Sequence, residues 1–212
     1  MVTRYRQRHR RASPSPSVGN HRWCHVSLRI IAGSLKGRVI PSPISDVTRP
    51  TTDMWRSSLF SALEDRTQLE GTKVLDLYAG TGALGLECIS RGAAHVTFVE
   101  NHRQTARQLQ SSIKDLGVAD VCTVVDDDVA RLLATTSERF DIILADPPYA
   151  LRIANKLRDV ISQRTLLNTG GYLLIEHGDA EYLLDDDRWI IEWHKERSGT
   201  MVTLLRWNPP QP

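Results

Sequence analysis

Asp146-Pro147-Pro148-Tyr149 is the stretch of the chain whose residue types and spacing could most directly do chemistry. Two successive prolines remove two backbone donors and fix φ, so the carbonyls around them are held rigidly without competing local partners. Asp146 and the Pro147 carbonyl could then accept the two N–H bonds of an exocyclic amino group on a nucleic-acid base. That would turn the nitrogen lone pair outward. Such a nitrogen is a poor nucleophile because its lone pair is delocalised into the ring, and positioning with electrostatic support is the help it needs. Pro148 completes the rigid turn, and Tyr149 offers a ring on which a base taken out of its stack could lie.

A second candidate lies upstream, in Asp76-Leu77-Tyr78-Ala79-Gly80-Thr81-Gly82-Ala83-Leu84-Gly85. Gly80 and Gly82 allow close backbone approach to a ligand. On its own, Gly80 to Gly85 also matches the dinucleotide fingerprint, so a dehydrogenase stays open at this point. Asp76 tilts the reading, because an acid beside the turn suits an amino-bearing or cationic ligand and is unwelcome beside a pyrophosphate. Asp76, Tyr78, Ala79, Gly80 and Gly82 are therefore expected to bind S-adenosylmethionine. Glu100, 20 residues beyond Gly80, could accept both ribose hydroxyls, and Asp128 could accept from the adenine amino group. With Asp126 and Asp127 beside it, Asp128 reads equally well as part of a solvated acidic turn.

These residues need strands that end beside one another. Segments 73–79, 95–100, 121–125, 140–146 and 171–177 are rich in Val, Ile and Leu and read as buried strands. Helical stretches over 104–116 and 152–161 lie between them, which implies βαβ crossovers and a parallel sheet covered on both faces. The alternation breaks at the end, where 189–196 and 200–207, joined by Arg197-Ser198-Gly199, predict an antiparallel hairpin. The expected fold is α/β, a doubly wound Rossmann-like sheet of the class I methyltransferase kind. Before it, RIIAGSLKGRVIPSP reads as a small β-hairpin. Thr51, Thr52 and Asp53 are N-cap candidates for a helix carrying Trp55, Leu59, Ala62 and Leu63 at helical spacing.

The chain is expected to divide into a basic arm over 1–27, a hairpin and helix over 28–70 as a candidate RNA-binding part, and a catalytic domain over 71–212. A length of 212 residues and 25% charge fit one globular domain with an appendage. The arm holds Arg4, Arg6, Arg8, Arg10, Arg11 and Arg22 and no acid, so the remaining chain nets −4 against an overall +2. With Ser13-Pro14-Ser15-Pro16-Ser17 it is too polar to pack and is expected to be disordered. It reads either as an RNA-attracting tail or as an over-extended start. No apolar run reaches membrane-spanning length and no signal-peptide core follows the basic residues, so a cytoplasmic protein is expected. Cys24, Cys88 and Cys122 lack zinc or redox spacing, and no metal is expected.

RIIAGSLKGR, RPTTDMWRSSLF, LDLYAGTGALGLECISRGA, FVE and DPPY together resemble the bacterial 16S rRNA guanine-N2 methyltransferase family, from about Arg29 to Trp207. The resemblance implies S-adenosylmethionine as methyl donor and a guanine N2 amino group of small-subunit rRNA as target, presented on a partly assembled subunit to a monomeric enzyme. Ser57 stands where the family usually has an acid, and Asp128 where asparagine is common. RNA contacts are then expected from Lys36, Arg38, Arg49 and Arg56, although each reads equally well as a solvated charge. Methylation of another RNA or DNA base is the alternative.

Overall fold

The structure is a computed structural model, and it describes residues 28–41, 53–148, 152–183, 186–197 and 199–209. The expectations for the arm, Thr51 and Thr52, Arg49 and Tyr149 lie outside the described residues.

The N-terminal hairpin is shorter than its apolar runs imply. Strands β1 (Leu28–Arg29) and β2 (Val39–Ile40) pair antiparallel, Leu28 opposite Ile40. Helix α1 (Asp53–Glu64) follows, burying Trp55, Leu59, Phe60, Ala62 and Leu63. Then strand and crossover alternate: β3 (Lys73–Leu77), α2 (Ala83–Ser90), β4 (His95–Val99), α3 (Arg103–Leu116), a 3-10 turn, β5 (Cys122–Val125), α4 (Val129–Thr135), β6 (Phe140–Ala145), α5 (Ala154–Gln163) and β7 (Leu167–Gly178). The predicted closing hairpin is β8 (Trp189–Arg197) with β9 (Thr200–Trp207).

The seven strands lie in the order β5-β4-β3-β6-β7-β9-β8, with β9 antiparallel to both its neighbours. The chain winds outward from β3 through β4 to β5, then returns to β6 on the other side of β3. The strand order therefore reverses between β3 and β6, where open α/β sheets bind their ligands at the carboxyl ends.

Alternate residues of each buried strand feed two apolar layers. Val74, Val96, Phe98, Ile142, Leu144 and Leu174 face α1, α2 and α3. Leu75, Leu77, Val99, Ile143, Ala145, Leu173 and Ile175 face α4 and α5. The hairpin joins the first layer through Ile30 and Ile40, which are 2% and 0% exposed. Among the described residues no helix is long and apolar enough to cross a membrane.

Candidate active site

The register places four residues at one level across the carboxyl edge. Val99, Leu77, Ala145 and Ile175 form a continuous row across β4, β3, β6 and β7, all facing α4 and α5. The next residue on each strand is Glu100, Tyr78, Asp146 and Glu176. Because side chains alternate along a strand, the carboxylates of Glu100, Asp146 and Glu176 belong to the face that carries α1. Asp76 belongs to that face too, two residues below Tyr78 and level with Phe98 and Leu144. Four carboxylates thus share one face of four adjacent strand ends. The row is not a metal cluster: among the described residues no three His, Cys, Asp or Glu side chains are grouped to hold an ion.

Tyr78 leaves the row. Its φ of 60° turns the chain, and its half-buried ring packs into the opposite layer, close enough to Asp128 for that carboxylate to push the phenol pKa up, after burial. Gly80 and Gly82 follow with φ of 54° and 76°. The left-handed backbone favours glycine at 82, and a Cβ there would also press on the end of the Leu109 side chain. The Ala79 carbonyl accepts the Gly82 amide at 2.7 Å, closing the turn, and the Ala79 amide donates to the Val99 carbonyl at 3.0 Å.

The two acids flanking this turn are engaged with the backbone. Glu100 Oε2 accepts the Gly80 amide at 2.9 Å and Oε1 accepts the His102 amide at 2.8 Å, so the strand-end acid holds the glycine turn beside β4. Asp76 Oδ2 accepts the Gly85 amide in the first turn of α2 at 2.9 Å. Asp76 is only 2% exposed, so its carboxylate lies inside the fold beneath the turn. Its carboxylate underpins the turn from below. Burial first, then Asp146 and Glu100, push its pKa to about 8 against the lowering effect of the Gly85 amide. Asp128 caps α4, with Oδ1 accepting the Ala130 amide at 2.9 Å and that of Arg131 at 3.3 Å.

Asp146 leads into buried Pro147 and exposed Pro148. Apolar Leu144 and Leu174 lie beneath it on the same face, which shuts its carboxylate away from solvent on that side. Burial, then the charge of Glu176, raise its pKa to about 7. An acceptor poised there gains from every N–H brought to it. Beyond the prolines, Glu181 Oε1 accepts the Ala154 amide at 2.7 Å and the Tyr182 carbonyl accepts from Asn155 Nδ2 at 2.9 Å. These bonds tie the segment after β7 to the start of α5, next to the Asp146 turn.

The expected RNA-binding cations are not gathered at this edge. Arg38 Nη2 donates at 2.9 Å to the carbonyl of Asp115, in the last turn of α3, which lies at the opposite edge of the sheet. Lys36 sits in the hairpin tip, which is bound to Ser90 at the far end of α2 through the Ser34 and Leu35 amides. Arg56 is 1% exposed, and its guanidinium donates to the Arg29 carbonyl and to Asp53 Oδ1. Arg38 stays exposed while it caps a helix end, and Arg56 alone leaves the surface, held by core packing and a buried carbonyl.

Sequence reasoning missed Glu176, although it stands one residue before the end of GYLLIEH, much as Glu100 ends HVTFVE. Lys195 and Arg197 were missed too. Both are exposed at the β8–β9 turn on the catalytic edge, with Lys195 Nζ 5.6 Å and Arg197 Cζ 5.9 Å from the ring centre of Trp55. Cys88 is buried and Cys122 half-buried, and burial pushes both thiols up, Cys122 to about 12. Neither has the character of a nucleophile.

Comparison with known proteins decides the family. The pattern described as Conserved hypothetical protein 95 matches residues 28–207. The chain belongs to this family. YlbH of Bacillus subtilis, whose name describes an rRNA methyltransferase, is 33% identical over 81% of this chain and 94% of its own length. The Ribosomal RNA small subunit methyltransferase D of Buchnera aphidicola from Acyrthosiphon pisum is 31% identical over 76% of this chain and 84% of its own. Among solved structures, the Escherichia coli methyltransferase yhhF superposes with a TM-score of 0.78 at 26% identity, covering 87% of this chain and 99% of that one. A Salinibacter ruber RNA methyltransferase, solved with S-adenosyl-L-homocysteine, shares the fold at 17% identity and TM-score 0.58, covering 77% of this chain and 97% of its own. The fold of this Conserved hypothetical protein 95 member is that of the class I methyltransferases.

Proposed function

We propose that this protein is an S-adenosylmethionine-dependent methyltransferase acting on the exocyclic N2 amino group of a guanine in small-subunit rRNA. The observation that carries the reading is the adjacency of Asp146-Pro147-Pro148 to the glycine turn across the β3–β6 switch point. The names of the curated relatives supply the rRNA class.

The residues present fit the cofactor. The edge is rich in acceptors, and the side-chain hydrogen bonds to Asp76 and Glu100 come from backbone amides, not from Lys or Arg. Such an edge favours ammonium and sulfonium charge and disfavours the pyrophosphate of a dehydrogenase cofactor. Gly80, Gly82 and the backbone of Tyr78 and Ala79 would hold the methionine part, Glu100 the ribose, and Asp128 with Tyr78 the adenine side. When bound, S-adenosylmethionine supplies an electrophilic methyl group.

Asp146 and the Pro147 carbonyl accept the two N–H bonds of the target amine and aim its lone pair. The donor, when bound, would give its methyl to that nitrogen and keep the C–S bonding pair on its sulfur. The excess proton is then lost from the nitrogen, which Asp146 is placed to accept. Tyr149 would support the extruded base. Lys195 and Arg197, on the same edge, suit the phosphate backbone by position and charge.

Transfer of labelled methyl to small ribosomal subunits lacking their own modifications, followed by nucleoside analysis, tests this. N2-methylguanosine is the expected product. Labelled methyladenosine or methylcytidine would overturn the guanine assignment, and absence of transfer to subunits and naked rRNA would overturn the rRNA reading.

A further inference from the structure

Helix α1 runs from the carboxyl edge of the sheet toward the amino edge. Its first turns meet the end of β8, where Lys195 Nζ donates to Ser58 Oγ at 3.0 Å and lies 5.6 Å from the centre of the Trp55 ring. Just past its last turn, Arg66 Nη2 donates at 3.0 Å to the Glu192 carbonyl, further back on β8. Between these points Leu59 and Leu63 pack with Leu144 and Leu174, the apolar pair beneath Asp146. From Leu59 back to Met54 is about 7.5 Å along the helix, and from Leu144 to Asp146 is about 6.6 Å along the strand. Met54 therefore stands level with Asp146, on the same face and at the same edge.

Met54 is 79% exposed. The other large apolar side chains left exposed among the described residues stand elsewhere: Val39 in the hairpin, Ile190 and Ile191 at the start of β8, and Tyr182 in the segment tied to α5. The backbone of Met54 is fixed, because its carbonyl accepts from Ser58 Oγ at 3.1 Å and the next residue, Trp55, is packed in the core. Side chains on a helix lean toward its N-terminus, so Met54 points past the strand ends. Ser58 lies one turn from Met54 on the same helix face, so the Lys195 ammonium that Ser58 accepts from stands beside Met54. An unbranched thioether next to a cation suits a surface of aromatic faces joined by phosphates, and a nucleic-acid stack is such a surface.

An enzyme that takes a base out of its stack leaves a gap between the neighbouring bases, and an apolar side chain that enters the gap offsets the cost of unstacking. The entering group must stand beside the pocket that receives the base, not inside it. Met54 meets that condition, because Asp146 is on β6 whereas the Lys195 beside Met54 is on β8, with β7 and β9 between them. We infer that Met54 is an intercalating residue, which enters the rRNA stack where the target guanine leaves it while Lys195 holds the adjoining phosphate. This inference rests on the guanine-N2 reading above and adds to it how the base is brought out.

The test uses the full chain and reconstituted small subunits that carry 2-aminopurine next to the guanine that the wild type methylates. The fluorescence of that probe rises when its stacking partner leaves. At saturating protein with S-adenosylhomocysteine, the wild type should raise it, and Met54→Ala should give less than about a third of that rise. On unlabelled subunits Met54→Ala should lower kcat/KM for methyl transfer by at least about 10-fold. Met54→Leu should keep both within about threefold of the wild type, since leucine fills nearly the same volume. Affinity for S-adenosylhomocysteine should stay within about threefold in both variants, as for an exposed position away from the cofactor. A parallel loss of that affinity would move Met54 into the cofactor site and overturn the inference. An unchanged rise or an unchanged rate in Met54→Ala, or equal losses in Met54→Leu, would overturn it too and leave the guanine assignment standing. Failure of the wild type to make N2-methylguanosine would overturn both.

Discussion

Glu87, wholly buried in α2, accepts the backbone amides of Ile31 at 2.8 Å and Ala32 at 3.0 Å, and it pairs with Arg91 at 2.8 Å. The helix that begins at the glycine turn therefore ends as the anchor of the N-terminal hairpin. Ser90 adds to the anchor by donating to the Ala32 carbonyl, and Gly33 lies so close that a Cβ there would overlap the Ser90 carbonyl. Removing the Glu87 carboxylate leaves two amides and a guanidinium that is 10% exposed without it. Glu87→Ala should cost on the order of 2 to 4 kcal/mol, because two amides lose their acceptor while Arg91 keeps Glu64 at 2.6 Å. Urea unfolding monitored by tryptophan fluorescence would measure it. A loss under about 1 kcal/mol would show that the hairpin is held by Ile30 and Ile40 alone.

Asp146 is assigned to the amine of the base and not to the cofactor. Asp146→Ala should lower kcat by at least about 100-fold, the scale of one preorganised electrostatic partner, and leave affinity for S-adenosylhomocysteine within about threefold in calorimetric titration. Equal losses of affinity and turnover would move Asp146 into the cofactor site.

Lys195 and Arg197, at the carboxyl edge, are the cations proposed to meet RNA, whereas Arg38 lies at the opposite edge. Every phosphate that a substitution leaves without its cation should reduce the slope of log affinity against log salt by about 0.7 to 0.9. The double change Lys195→Ala, Arg197→Ala should thus flatten the salt dependence of rRNA binding, while Lys36→Ala leaves it unchanged. The opposite pattern would return the RNA-binding role to the hairpin.

Periodicity was enough to foresee the sheet because buried parallel strands read as unbroken Val, Ile and Leu runs, as in Phe140–Ala145. The glycine turn and the Asp146 turn were legible because each is contiguous in sequence. What could not be read was which edge a cation occupies. Arg38 and Arg56 look alike as letters, yet one caps a helix 77 residues away and the other is buried in the core. Glu176 was hidden for the same reason: its meaning comes from standing beside Asp146, a fact of register between strands 30 residues apart in the chain.

Glu100 joins the glycine turn to the end of β4, so its removal loosens the place where the cofactor would lie. Glu100→Ala should weaken S-adenosylhomocysteine binding by roughly 10- to 100-fold, matching the loss of charge-assisted hydrogen bonds of about 1.5 to 3 kcal/mol. Turnover at saturating cofactor should fall far less. Unchanged affinity would remove Glu100 from the ribose site.

The buried acids also set a pH dependence whose sign can be worked out. Asp76 titrates at about 8 and Asp146 at about 7 in the folded protein, both raised from an ordinary value of 3.8. An acid with a raised folded value binds its proton more tightly when folded, so its contribution to stability is full below about pH 4 and is lost as pH rises through the folded value. Asp76→Asn keeps an acceptor for the Gly85 amide without the buried charge. Its stability relative to wild type should therefore improve from about pH 4 to about pH 9, by an amount on the order of a few kcal/mol. A constant difference across that range in urea unfolding would show that Asp76 is ionised throughout. Catalysis runs the other way, because an ionised Asp146 is the better acceptor: kcat should climb as pH passes about 7. Asp76, with its value about one unit higher, is largely neutral while Asp146 ionises, so Asp76→Asn should leave that limb near pH 7, and a limb displaced to lower pH would show that Asp76 is already charged there.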